Sequence, residues 1–142
     1  MSRISLDQAN RMIEAAFAKG NELGLKPLCV AVLDAGGHLI ALQRQDGASI
    51  LRPQVATGKA AGALALGMSS RRIGEVVAER PAFIASIGMV APQGIVPAAG
   101  GVILVDSDGL PIGAIGTTGD TSDNDELCTM AGIAAAGLTP QS

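Results

Sequence analysis

The chain has 142 residues, enough for one domain and too few for two of ordinary size. Hydrophobic residues make up 48% and charged residues 16%, which excludes a disordered or coiled-coil chain. A net charge of −3, scattered basic residues and no aromatic platform exclude a nucleic-acid surface.

No apolar run approaches the roughly 18 residues that a membrane span needs. The N-terminal Met1-Ser-Arg-Ile-Ser-Leu-Asp-Gln lacks the charged-then-apolar layout of a signal peptide. The expectation is a single domain over 1–142, cytoplasmic, with neither nucleic acid nor membrane as a partner. Phe17 and Phe83 are the only aromatic residues, so Ala, Val, Ile, Leu and Met must build the core. Small side chains bury little area each, and a domain of this size gains from burying more in a homo-oligomer. Cys29 and Cys128 are isolated, with no metal-type spacing, and read as small core residues; no metal site is expected.

The first element is a helix with Ser5 as N-cap. Ala9, Met12, Ile13, Ala16 and Phe17 recur at helical steps, and Gly20 or Gly24 ends it. Pro27 then opens an extended run, Leu28–Leu33. Asp34-Ala-Gly-Gly37 is a turn and His38–Arg44 returns, which makes a β-hairpin. After Asp46-Gly-Ala-Ser49 a long helix runs from about Ile50 to Leu66, with Pro53 in its first turn. A second helix follows Ser69 or Ser70, and Pro81 ends it. From Phe83 to Gly100 glycine and proline punctuate the chain, which reads as a long loop with room for short strands. Gly101–Val105 and Leu110–Gly116 form a second hairpin. The last helix runs from about Ser122 to Ala136, capped by Thr121 or Ser122, and the end is frayed. Tight turns pair strands antiparallel, so the fold class is α+β: one antiparallel sheet with helices on its faces.

The stretch Gly113–Glu126 concentrates polar chemistry between a strand and a helix N-terminus. Asp120, Asp123, Asp125 and Glu126 complement the helix dipole on one reading. On another, oxygen-rich carboxylates suit a hard divalent cation, although the EF-hand spacing is absent. On a third, Asp120, Asp125 or Glu126 is a general base, with Thr117 and Thr118 hydrogen-bonding a substrate. Arg52 and Lys59 are two helical turns apart and share a face, either a solvated basic face or a clamp for a carboxylate. No dinucleotide, phosphate-loop or nucleophile-elbow motif is present.

Several stretches resemble one family in the right order. Val32-Leu-Asp-Ala-Gly-Gly-His-Leu-Ile-Ala41, Arg44-Gln-Asp-Gly-Ala48, Ala56-Thr-Gly-Lys-Ala-Ala61, Gly100-Gly-Val-Ile-Leu104, Ile112-Gly-Ala-Ile-Gly116 and Asp125-Glu126 are similar to the blocks of the GlcG/HbpS family. The resemblance runs from about Ser5 to Leu138. Gly116-Thr-Thr-Gly-Asp120 departs from the family's common Gly-Val-Ser-Gly-Gly form, and the stretch from Glu79 to Pro97 matches weakly. The resemblance implies a profilin-like α+β fold with a central antiparallel sheet of about five strands. It also implies homo-oligomers. Members include heme-binding sensors and the C-terminal domain of PduO-type adenosyltransferases.

Heme is therefore the cofactor that the resemblance implies. His38, the only histidine, is the one imidazole for its iron, against the reading of an exposed turn residue. Met68, Met89 and Met130 are further axial candidates, against core filler. Arg52 and Lys59 would meet a heme propionate or a small organic acid. The expected function is a ligand-binding homo-oligomer for heme or another anionic ligand. The alternatives are a small catabolic isomerase, lyase or hydrolase acting on an organic acid, and a non-catalytic accessory oligomer.

Overall fold

The computed structural model describes residues 2–142. Helix α1 spans Leu6–Leu23 and starts on a capping box. Ser5 Oγ accepts the Gln8 N–H at 3.0 Å, and Gln8 Oε1 accepts the Ser5 N–H at 2.9 Å. Gly24 closes the helix in the left-handed region, with φ 68°. Strands β1 (Cys29–Asp34) and β2 (Leu39–Arg44) form the first hairpin. Helix α2 (Arg52–Leu66) begins two residues later than its sequence suggests, with Pro53 in its first turn.

Helix α3 (Ser70–Glu79) is capped by Ser69, whose Oγ accepts the Arg72 N–H at 3.2 Å. The expected long loop then needs correction. Pro81 ends α3 but also starts helix α4, Pro81–Gly88. Proline is suited to a first helical turn, and Ala-Phe-Ile-Ala-Ser-Ile continues the helix without a break. The irregular segment is only 89–100. Strands β3 (Gly101–Val105) and β4 (Pro111–Thr118) make the second hairpin, and helix α5 spans Ser122–Ala135 with Thr121 as N-cap. The end of the chain is not frayed: Thr139–Pro140 add a short strand, β5, to the edge of β3.

The five strands form one antiparallel sheet in the order β2-β1-β4-β3-β5, inside an α+β fold. Its two faces differ in kind. Helices α1 and α5 cover one face with large side chains: Met12, Ile13 and Ile133 pack on Val30, Val32, Leu104 and Ile115. Each such fully buried side chain contributes about 1.5–3 kcal/mol of burial. Helix α2 covers the other face through Cys29, Ala31, Leu33, Ala56, Ala60 and Ala114. Contact there is close because glycines face the helix. Gly101 and Gly116 are cross-strand partners, and a Cβ on Gly116 would strike the Ala56 carbonyl oxygen. Both cysteines are buried, as expected, and burial pushes each thiol up to about 11. Among the described residues no helix is long and apolar enough to cross a membrane.

Candidate functional site

The polar residues of the closing block divide into two groups once folded. Strand β4 extends two residues past Gly116, because Thr117 and Thr118 pair with Val30 and Cys29 of β1. The threonines are therefore buried ladder residues, 0% and 1% exposed, where the sequence suggested an open turn. Lys59 of α2 is 2% exposed and reaches across the end of β3. Its Nζ donates to the Thr117 carbonyl at 2.9 Å and pairs with Asp125 Oδ2 at 3.1 Å. Gly100 makes room for it, since a Cβ there would lie 2.9 Å from that Nζ. Asp125 Oδ1 accepts the Asp120 N–H at 2.9 Å. Thr129 Oγ1 lies 2.7 Å from the Gly100 carbonyl and 2.8 Å from Thr117 Oγ1.

Burial holds the Lys59 ammonium below its ordinary value of 10.5; Asp125 opposes the shift and Arg52 adds to it. Asp120 accepts the Lys26 N–H at 3.1 Å and the Asn124 side-chain amide at 2.8 Å. The Asn124 amide, then the Thr121 and Lys26 N–H groups, hold its carboxyl at about 2. Glu126 and Asp123 both grip Arg71, at 3.1 and 2.6 Å. Asp120, Asp125 and Glu126 are thus each taken up by partners within the chain. Among the described residues no three His, Cys, Asp or Glu side chains converge as a metal set.

Arg52 donates to Thr118 Oγ1 at 2.7 Å while Lys59 turns inward to Asp125, so the two cations serve different partners. His38 stands at the opposite end of β1. Its backbone N–H and that of Gly36 both bond the Asp34 carboxylate, at 2.9 and 3.0 Å. Those bonds, led by the one from His38, hold the Asp34 carboxyl below its ordinary 3.8. About 16 Å of strand separates this turn from the Arg52–Thr118 end, at roughly 3.3 Å per residue. The imidazole is 81% exposed, with Nδ1 3.4 Å from Asp34 Oδ1, and it folds back over Gly36.

The sequence reading missed a groove on the outer side of α2. Pro53, Thr57, Ala61 and Ala65 recur every four residues and form one ridge of the helix. Two cavities follow that ridge. One, of about 300 Å³, lies between Pro53, Thr57 and Leu42 of β2. The other, of about 210 Å³, lies between Ala61, Ala65, the Gly36–Gly37 turn and Ala91–Gly94. Gln93 lines both. Taken together they fall in the size range of small-molecule sites, about 300–1,000 Å³. Alanines and glycines line most of the second cavity, and Gly36 and Gly37 of its wall lead directly into His38. The sequence signal was present: small residues on α2 and the Asp34–His38 turn. What joins them is the 91–98 segment, whose position the sequence did not reveal.

The family described as haem degrading protein HbpS-like matches residues 4–134 of this chain. An uncharacterized 15.0 kDa protein of the dhaT-dhaS intergenic region of Citrobacter freundii is 30% identical over 127 residues, 89% of this chain and 87% of that protein. The crystal structure of the PduOC:heme complex superposes with a TM-score of 0.88 at 23% identity, covering 99% of this chain and all 100% of that one. The crystal structure of HbpS superposes with a TM-score of 0.80 at 27% identity, over 94% of this chain and 90% of that one. With the family match running over residues 4–134, which is most of the chain, the chain belongs to the HbpS-like family.

Proposed function

We propose that the protein is a ligand-binding homo-oligomer that holds a heme-type tetrapyrrole in the groove along α2. The observation that carries this reading is the groove along α2, walled at one end by the Gly36–Gly37 turn that leads into the chain's only imidazole. The alanines and glycines of the second cavity, with Leu42 and Pro53 of the first, suit a planar apolar ligand. Asp34 near Nδ1 leaves Nε2 as the free ring nitrogen, the arrangement in which a carboxylate orients a metal-binding histidine. The names of two structural neighbours, a heme complex and HbpS, lend support from outside the chain. A small-acid enzyme draws no such support, because its candidate carboxylates are occupied. Self-assembly has its own support in α4 and the two residues after it, where Phe83, Met89 and Val90 are 43%, 87% and 80% exposed.

The test is a titration with hemin followed in the Soret region. A saturable shift is expected, and His38→Ala is expected to move the band of the bound state and weaken binding. Lack of saturation in the parent protein sinks the proposal. An unchanged band in His38→Ala removes the histidine from the iron. Sedimentation is expected to give a mass above that of one chain.

A further inference from the structure

Gln93 divides the groove. Its side-chain Nε2 donates to the Gly37 carbonyl at 2.8 Å, bridging from the 91–98 segment to the β1–β2 turn. The cavity on each side of that bridge is lined by the same glutamine. Backbone and side chain behave differently here. The 91–98 backbone is seated in a glycine track: a Cβ on Gly58 would lie 2.8 Å from Val96 Cγ2, and one on Gly62 would lie 3.2 Å from Ile95 Cα. Gly74 receives the Pro97 carbonyl in the same way, at 2.8 Å. The segment cannot lift without losing these contacts. The Gln93 side chain is exposed, and rotation about its own bonds frees it.

We infer that Gln93 is the specificity-determining gate of this groove, closing it to plates longer than one half and opening by a side-chain swing alone. The inference rests on the ligand reading above and adds to it which residue selects for size. The ridge from Pro53 to Ala65 is about 18 Å long, at 1.5 Å per residue. With the bridge to Gly37 in place, a rigid tetrapyrrole is broader than either cavity. Once Gln93 leaves Gly37, the two cavities become one slot along α2, with Pro53 and Gln54 at one end and Ala35–Gly37 at the other. The ligand must break one partly solvated hydrogen bond, so the gate weakens large ligands by a modest factor. A net hydrogen bond of that kind corresponds to about two- to tenfold in affinity.

The experiment compares hemin dissociation constants of the parent protein and Gln93→Ala, with circular dichroism and the thermal midpoint as controls of fold. Tighter binding by Gln93→Ala, by about two- to tenfold, is expected, as is faster association, because the slot is already open. Equal or weaker binding by Gln93→Ala, with the parent still binding hemin, overturns the gate and leaves the ligand reading standing. Saturable binding by neither protein overturns both.

Discussion

Lys59 shows how a single residue changes meaning on folding. In the sequence it sits in an Ala- and Gly-rich helix and suggests a clamp for a ligand carboxylate. In the structure its partner is Asp125, 66 positions away, and both are almost fully buried. The pair ties α2 to α5, and through the Thr117 carbonyl to β4. Removing one partner leaves the other charge buried and unpaired, which costs far more than the pair itself contributes. Lys59→Met is therefore expected to lower stability by about 3–5 kcal/mol in urea unfolding. Lys59→Met with Asp125→Leu is expected to recover part of that loss. An effect below about 1 kcal/mol for the single variant would mean that Asp125 finds water instead. The pairing was not legible beforehand because nothing local links residues so far apart. The apolar neighbours of Lys59 were the one available signal. Ser5 was legible as a cap, and Ser69 and Thr121 to within one residue, because capping is decided within three residues.

At the scale of elements, the seating of α2 sets the position of everything that could bind a ligand. Gly101 and Gly116 lie opposite each other on β3 and β4 and allow the helix backbone to approach the sheet. Gly58 and Gly62 let the 91–98 segment lie on its other side. Gly116→Ala is expected to push α2 off the sheet and lower the thermal midpoint, at a cost of about 1–3 kcal/mol of overpacking. Gly88→Ala meets nothing within 4 Å and is expected to be neutral or mildly stabilising. Similar midpoints for the two variants would show that the seat is soft. The hairpins were readable from short strand-like apolar runs around Gly-Gly and Asp-Gly turns. Helix α4 was not, because a proline after a helix reads as its stop, although the same residue suits a first helical turn. The extent of β4 was also missed. Its last two residues are threonines after a glycine, and only pairing with β1 makes them strand.

The whole molecule places its chemistry asymmetrically. One face of the sheet carries the large-residue core with α1 and α5, which serves stability. The other carries the small-residue layer under α2, and the groove lies outside that helix. Family membership fits this division, since the matched span, residues 4–134, covers strands β1 to β4 and all but the last residue of the five helices. The central claim is that the groove along α2 is the ligand site, and Ala61, partly exposed on the ridge and lining the groove, allows it to be blocked. The most direct measurement is a hemin titration of Ala61→Phe beside the parent protein, read at the Soret band. Saturable binding by the parent and its loss in a folded Ala61→Phe is the predicted result. Undiminished binding by Ala61→Phe would contradict the account.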